Sequence, residues 1–144
     1  MARECSVAAA LAVVGEQWSL LVLREVALGV RRFDAIQEAT GASRAILGAR
    51  LRGLTEAGVL ERVEYREPGS RTRHEYQLTV AGRELQPVLT ALMQWGDRHL
   101  AGPEGPPLTV THTGCGATVR ATLRCEHGHV LPDTGRDLDI RHNR

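Results

Sequence analysis

The chain has 144 residues, of which 42% are hydrophobic, and its 18 basic and 17 acidic side chains leave a net charge of +1 at pH 7. This composition fits one globular domain with an appendage. No hydrophobic run reaches the roughly 18 residues that a membrane span needs, and the first residues lack a typical signal-peptide core, so we expect a cytoplasmic protein.

Helical periodicity begins close to the start of the chain. Val7, Leu11 and Val14 recur at i, i+4 and i+7, and a second helix carries an apolar stripe around Trp18. These helices offer apolar surface both to a core and to a partner. Cys5 stands just ahead of the first helix, where the positive end of the helix dipole favours a reactive thiolate.

Two helices separated by a short turn are predicted next. The segment 31–36 forms a short helix with Phe33 and Ile36 as core anchors at i and i+3. A second helix follows over roughly Ser43 to Ala57, with Ser43 as its N-cap. This spacing is typical of a helix-turn-helix.

The second of these helices has a core face and a face suited to DNA. Three leucines lie on one stripe at i, i+4 and i+7: Leu47, Leu51 and Leu54. The opposite face has small side chains and one cation, and it comprises Ala45, Ala49 and Arg52, with Gly48 and Gly53 at its margins. Such a face can approach base edges in a major groove, where Arg52 can bond guanine. Arg44 and Arg50 fall on the flanks, toward the phosphates. Considered alone, the helix could equally be an amphipathic helix with solvated arginines.

A hairpin is predicted after this helix. The strands 59–65 and 74–78 alternate in polarity and face each other across a Pro68-Gly69 turn. Three arginines in the connecting loop make a local positive patch: Arg66, Arg71 and Arg73. Because each arginine–phosphate contact releases counterions, we expect the affinity for DNA to fall steeply with salt.

The segment after the hairpin continues with helical spacing through Leu85, Leu92 and Trp95, and Pro87 predicts a kink or break inside it. The apolar stripe packs either across a two-fold axis against a second copy, which we prefer, or within its own core. Trp18 and Trp95 either wall a cavity for an apolar effector or belong to the core.

The composition changes after residue 100. Residues 101–107 form a Gly/Pro-rich linker, and residues 108–144 form an extension with several candidate metal ligands: His112, Cys115, Cys125, His127 and His129. Three interpretations remain open: a zinc knuckle, a disordered or loosely docked tail, and a Cys115–Cys125 disulfide. A cytosolic location argues against a permanent disulfide.

Ordered blocks over about two thirds of the chain resemble the HxlR-type winged-helix transcriptional regulators of bacteria, which share their architecture with the MarR group. The blocks are Gly15-x-x-Trp18, Leu23-Arg24-Glu25, Gly29-x-Arg31-Arg32-Phe33, Leu47-x-x-Arg50-Leu51-x-x-Leu54-x-x-x-Gly58, Tyr76-x-Leu78-Thr79-x-x-Gly82 and Trp95-Gly96. The resemblance implies a homodimer that binds an operator of two half-sites, with the terminal helices at the dimer interface.

The resemblance also bears on the cysteines. Some family members sense electrophiles or oxidants through an N-terminal cysteine, usually followed by Pro, whereas Ser6 follows Cys5 here. Cys5 is therefore either a sensor or a free thiol without a regulatory role. Some members carry a zinc-ribbon-like extension with a Cys-x-x-Cys pair, but Gly128 occupies the place of the second cysteine, so His127 or His129 would have to substitute.

The sequence thus predicts a mainly α fold with a small β-hairpin wing (α+β). This winged helix-turn-helix domain, which binds DNA and dimerises, would span residues 1–100 and be followed by the linker and a short irregular or zinc-ribbon-like tail. The predicted DNA-binding residues are Arg31, Arg32, Ser43, Arg44, Ala45, Gly48, Ala49, Arg50, Arg52, Arg71 and Arg73.

The predicted function is a sequence-specific transcriptional regulator, a repressor rather than an activator. We expect that it requires no cofactor, with a structural zinc in the tail as one of the open interpretations. A small molecule, an oxidant or an electrophile would supply its signal. The alternative is a winged-helix protein-interaction module that binds no DNA. We expect no enzyme, since the chain lacks a His-Glu-x-x-His motif, a glycine-rich phosphate loop and a Gly-x-Ser-x-Gly elbow.

Overall fold

The fold was analysed in a computed structural model that describes residues 5–143. By backbone contacts the chain forms two compact units, Met1–Gln86 and Pro87–Arg144. The elements are α1 (Ser6–Val14), α2 (Gln17–Ala27), α3 (Phe33–Thr40), α4 (Arg44–Glu56), β1 (Leu60–Tyr65), β2 (Arg73–Leu78), α5 (Val80–Arg83), α6 (Gln86–His99), β3 (Leu123–Arg124) and β4 (Val130–Leu131).

The core of the first unit forms where α2, α3, α4 and β1 meet. Its largest fully buried side chains are Val22, Leu23, Ile36, Leu47, Leu51, Leu54 and Leu60. The leucine stripe of α4 faces this core, as its spacing predicted. Burial of one such side chain contributes about 1.5–3 kcal/mol to stability, so the stripe fixes which face of α4 remains outside.

The predicted helix-turn-helix is confirmed, with a shift at its start. Helix α3 begins at Phe33 because the two preceding arginines pair with β2: the amide of Tyr76 donates to the carbonyl of Arg31 at 2.8 Å, and Arg32 forms a bridge with Glu75. Helix α4 begins one residue after Ser43, whose hydroxyl oxygen accepts from the amide of Ile46 at 3.2 Å. Ser43 is therefore the N-cap, as expected.

The predicted wing is an antiparallel hairpin. Its register runs from Leu60 opposite Leu78 to Tyr65 opposite Arg73. At the tip the amide of Ser70 donates to the carbonyl of Glu67 at 3.0 Å, and Gly69 has a φ of +78°. Pro68 followed by a glycine with positive φ is the pattern of a type II turn.

The block Thr79-x-x-Gly82 closes the first unit. The Thr79 hydroxyl donates to the carbonyl of Gly58 at 2.6 Å and accepts from the amide of Gly82 at 3.2 Å. A Cβ at Gly82 would collide with the carbonyl oxygen of Val59, so a larger residue does not fit there. This motif ties the end of the wing to the end of α4.

Helix α1 departs from the expected stripe. Val14 is buried, but Val7 is 65% exposed and Leu11 is 56% exposed. The stripe therefore reaches the core only through its last member. Within residues 5–143 no single helix has the length and hydropathy of a membrane span, although α1 and α2, bent by 76°, would pass as a broken pair on length and composition.

In the second unit, the break expected at Pro87 occurs just ahead of it. Residues 84–85 form a turn, α6 begins at Gln86, and Pro87 occupies its first turn, where a missing amide hydrogen costs little. By contacts α6 groups with the extension rather than with residues 1–86. The contacts thus divide the chain between Gln86 and Pro87, whereas the sequence predicted a domain boundary at residue 100, which stays a prediction.

The extension forms two small hairpins. The first is marked by a bridge between Thr111 and Thr118, and the second is the β3–β4 pair. The side chain of Gln94 on α6 binds the backbone between them: its Nε2 donates to the carbonyl of Val119 at 2.7 Å, and its Oε1 accepts from the amide of Ala121 at 2.8 Å. This double hydrogen bond explains why α6 groups with the extension.

Candidate nucleic-acid interface

The exposed face of α4 follows from the buried leucine stripe. Ala45 and Arg52 are exposed on this face, and Gly48 and Ala49 are half-buried at its side. The Arg52 side chain extends back along the helix toward Gly48: a Cβ atom added at Gly48 would lie 3.4 Å from Arg52 Nη1. Within residues 5–143 no hydrogen-bond acceptor or carboxylate binds this guanidinium. The exposed face of α4 therefore has small side chains and one arginine without a partner, as predicted.

Arg44, the first residue of α4, links the two helices of the motif. Its Nη1 lies 3.2 Å from Oδ1 of Asp34, and its Cζ lies 4.8 Å from the centre of the Phe33 ring. Both side chains of the ion pair are largely exposed, at 70% for Arg44 and 84% for Asp34. Such surface pairs contribute about 0–1 kcal/mol, so a phosphate can replace Asp34 at little cost.

Arg50 lies differently from its predicted place on the phosphate-facing flank. Its side chain is half-buried, and its Nε lies 3.8 Å from Oε2 of Glu16. The same Oε2 accepts from the amides of Trp18 at 2.8 Å and Ser19 at 3.2 Å, so Glu16 is the N-cap of α2. Arg50 therefore contacts the scaffold behind α4, and its proposed phosphate role is not supported by this placement.

Arg32 attaches the start of α3 to the wing. Its Nη2 donates to Oε1 of Glu67 at 2.8 Å, and its Cζ lies 4.4 Å from the centre of the Tyr65 ring. The hydrogen bond with Glu67 raises the pKa of Arg32 above its ordinary value. The guanidinium thus stays charged, while Glu67 already occupies its Nη2 donor.

The wing carries two arginines whose side chains are free, one in its loop and one at the start of β2. Arg71 and Arg73 are exposed, and neither has an ion-pair or hydrogen-bond partner for its side chain within the described residues. The Arg31 side chain is exposed and equally without a partner in that part of the chain. Arg66, in contrast, donates from Nε to the carbonyl of Ser70 at 3.0 Å and so stiffens the tip.

An open groove of about 820 Å³ lies between α3 and the wing. Five arginines and two acids line it: Arg32, Arg44, Arg62, Arg71 and Arg73, with Asp34 and Glu38. Although the chain as a whole carries only +1, this groove is clearly positive. A positive groove bordered by aromatic rings and a protruding hairpin suits a nucleic-acid backbone.

The acidic partners were missed by the sequence analysis. Asp34 and Glu67 pair with two of the arginines predicted to bind DNA, Arg44 and Arg32. Glu16 lies 3.8 Å from Nε of a third, Arg50, without a hydrogen bond. Glu16 could have been noticed, because it directly precedes a helical stripe as an N-cap does. The Arg32–Glu67 pair joins residues 35 positions apart, so local spacing gives no signal for it.

The candidate sensing residues lie at separate places. Cys5 is exposed at the N-cap position of α1 and makes no capping hydrogen bond with its side chain. Trp18 is half-buried on α2 in the first unit, and Trp95 is half-exposed on α6 in the second, 5.1 Å from the ring of His99. Neither tryptophan lines the groove described above.

The candidate metal ligands of the extension do not gather into one site. His112 Nδ1 lies 3.2 Å from Cys115 Sγ, whereas Cys125 and His129 are joined through their backbones at the turn of the second hairpin. Within residues 5–143 no three His, Cys, Asp or Glu side chains are arranged to hold a metal ion. Structural zinc takes four ligands and this arrangement does not bring four together, so the zinc site stays a prediction. No disulfide joins Cys115 and Cys125, which are both free thiols.

Comparison with known proteins agrees with this geometry. Residues 13–103 match the HxlR-like helix-turn-helix family. An uncharacterized HTH-type transcriptional regulator of Mycobacterium tuberculosis (strain ATCC 25618 / H37Rv), Rv3095, is 48% identical over 122 residues, covering 85% of this chain and 76% of that protein.

Two solved structures extend the comparison to the fold. The crystal structure of PA1607, a candidate transcription factor, is similar with a TM-score of 0.84 and 33% identity, covering 97% of this chain and 96% of that one. The redox regulator HypR in its oxidized form has a TM-score of 0.61 and 26% identity, covering 68% of this chain and all of its own. The winged-helix architecture and the regulator class are those predicted from the sequence, and both indicate a non-enzyme. The chain is therefore a DNA-binding transcriptional regulator that belongs to the HxlR-like helix-turn-helix family.

Proposed function

We propose that this regulator is a cytoplasmic homodimer that represses transcription by binding an operator of two half-sites. Helix α4 enters the major groove, and the wing holds the adjacent backbone or minor groove. One observation carries this proposal: Arg52 on α4 and Arg71 and Arg73 on the wing have exposed guanidinium groups without a partner among the described residues, while the leucine stripe of α4 is buried. Two cationic protrusions thus project from one rigid scaffold.

Within this arrangement Arg52 reads bases. Its neighbours Ala45 and Gly48 are small, which allows the helix axis to approach the groove floor, and Ala45 can touch a thymine methyl. A guanidinium without an intramolecular partner can bond O6 and N7 of guanine without breaking an existing contact. Arg44 is paired with Asp34, and Arg32 is paired with Glu67. On DNA each of these arginines leaves its acid, binds a phosphate and so positions the protein on the duplex.

The wing supplies affinity that does not depend on sequence. Arg71 and Arg73 contact phosphates, and each contact contributes about −0.9 to the slope of log K against log salt. Arg31 adds a further cation beside the groove. These contacts fix the register of α4 on the duplex without reading it.

Dimerisation rests on apolar surface that each monomer leaves open. On α1, Val7 and Leu11 are more than half exposed, and on α6, Val88, Leu92 and Trp95 are each about half exposed. A monomer usually exposes apolar side chains singly, whereas here they form a stripe on each of two helices, which leaves more contiguous apolar surface exposed. A second copy is the partner that a palindromic operator requires. Light scattering coupled to size exclusion should give twice the monomer mass, and replacing Leu92 with Glu should give the monomer mass.

The roles of the arginines are tested by anisotropy titrations on the promoter beside the gene and on single-base variants of it. Arg52→Ala should cost about 1–3 kcal/mol and relax the preference at one base position, whereas Arg71→Ala should weaken all duplexes alike. Arg124→Ala, which removes an exposed arginine of β3, is the matched control and should change neither. Indistinguishable profiles for the Arg52 and Arg71 variants would reject the assignment of roles.

The signal is proposed to act on the N-terminal thiol. Cys5 is exposed at the start of α1, and the similar structure of HypR is that of a redox regulator. Treatment with an oxidant should release the wild-type protein from its operator and should leave the Cys5→Ser variant bound. Equal release of both proteins would exclude Cys5 as the sensor.

Repression is tested separately. Expression of a reporter gene placed under the operator should increase when the gene of this protein is deleted.

A further inference from the structure

Arg50 lies on a different side of α4 from the arginine that is proposed to read bases. An α-helix turns by about 100° per residue, so Arg50 and Arg52 point about 200° apart around the helix axis. Arg52 is exposed, whereas the Arg50 side chain is half-buried. With Arg52 facing the base edges, Arg50 therefore points away from the floor of the major groove.

The Arg50 guanidinium is directed at the start of α2. Its Nε is buried and has no hydrogen-bond partner within the described residues. The carboxylate beside it belongs to Glu16, whose Oε2 lies 3.8 Å from this Nε. The amino end of α2 is the positive end of a helix dipole, and the charge of Glu16 offsets the repulsion that an arginine meets there. Glu16 thus sets the position of Arg50.

Glu16 is itself fixed to the scaffold, at the junction of α1 and α2. Its Oε2 accepts from the amides of Trp18 and Ser19 and so caps α2. Val14 just before the junction is buried, and a Cβ added at Gly15 would collide with the backbone of α1. A carboxylate anchored in this way is a fixed point against which α4 can be oriented.

We propose that Arg50 is a positioning residue for DNA recognition, which orients α4 through Glu16 and makes no contact with a phosphate. This inference rests on the proposed function, in which α4 is the recognition helix. The leucine stripe holds α4 by apolar burial, which has no direction and so permits small rotations of the helix. Such a rotation would draw the Arg50 guanidinium away from Glu16, and their attraction opposes it.

The orientation of α4 matters most for Arg52. Its bonds to a guanine need donor–acceptor distances and angles within a narrow range, so a small rotation of α4 weakens base reading. Phosphate contacts from the wing do not depend on this rotation. Loss of the Arg50–Glu16 interaction should therefore reduce sequence discrimination and leave the salt dependence of binding as it is.

Two substitutions break the interaction from its two ends. Arg50→Met keeps the aliphatic stem and removes the charge, and Glu16→Gln keeps an oxygen that can cap α2 but removes the carboxylate. Anisotropy titrations of the full-length protein compare the operator with a duplex altered at the base pair that Arg52→Ala identifies, over a range of salt concentrations. Thermal melts check the fold of each variant.

Each variant should lower the ratio of the two affinities by about threefold or more, and the double variant should lower it no further, because both changes remove one interaction. The slope of log K against log salt should keep its wild-type value in all three. Arg44→Met is the contrasting variant, which should reduce the slope by about 0.9 and keep the ratio. Arg124→Ala in the extension should change neither quantity.

Three results would overturn the proposal. The first is a slope that falls by about 0.9 in Arg50→Met, since Arg50 would then be a phosphate contact. The second is wild-type discrimination by Glu16→Gln, a result that stands even if Arg50→Met does not fold. The third is a double variant whose losses simply add. A wild-type protein without preference for the operator would instead reject the proposed function itself, and this inference with it.

Discussion

The two compact units of the chain are stabilised in different ways. Among the described residues, the buried hydrophobic side chains all lie between Val14 and Leu60, in the first unit, whereas the second unit buries Thr90. The second unit is held by hydrogen bonds such as those of Gln94 to the extension. A unit with such an apolar core can hold exposed side chains such as Arg52 and Arg71 on a fixed backbone, and this is what a DNA-binding face requires.

The largest effect that this comparison predicts comes from the core of the first unit. Leu51→Ala should lower the free energy of unfolding by about 2–5 kcal/mol, because the side chain is 1% exposed and leaves a cavity under α4. Denaturant titration measures the change. Ile46→Ala, on the same helix but 38% exposed, is the control and should cost much less. Equal losses would show that α4 is not anchored by its leucine stripe.

A smaller and local effect is expected in the second unit. Gln94→Ala leaves the carbonyl of Val119 and the amide of Ala121 without their partner, at a cost of about 1–3 kcal/mol. Hydrogen exchange at the Ala121 amide should accelerate accordingly. The Leu47 amide in the first unit should exchange as before. If Ala121 kept its protection, the double hydrogen bond would not be what holds the extension.

How far the sequence predicts this molecule depends on the range of the interaction concerned. Helix α4, its N-cap and the wing follow from local spacing and turn chemistry, so their predicted bounds agree with the structure to within about a residue or two. The partners of Arg32 and Arg50 are distant in the chain and depend on tertiary packing. The same holds for the extension, where side chains with suitable metal chemistry lie in two separate turns.

The smallest effect on stability is expected from the acids that hold arginines at the interface. Asp34→Asn and Glu67→Gln should each change the free energy of unfolding by less than about 1 kcal/mol, since the pairs are exposed. Each should nevertheless tighten binding to any duplex, because Arg44 or Arg32 becomes free for a phosphate. Thermal melts and anisotropy titrations measure the two quantities. Weaker binding by both variants would place these arginines away from the DNA.

The salt dependence of DNA binding tests the central claim most directly, namely that free arginines on the wing grip the phosphate backbone. Replacing both Arg71 and Arg73 with Ala should reduce the slope of log K against log salt by about 2, at about 0.9 per lost contact. The control, with Arg124 and Arg141 of the extension replaced by Ala, should keep the wild-type slope. An unchanged slope and affinity for the wing variant would contradict this account.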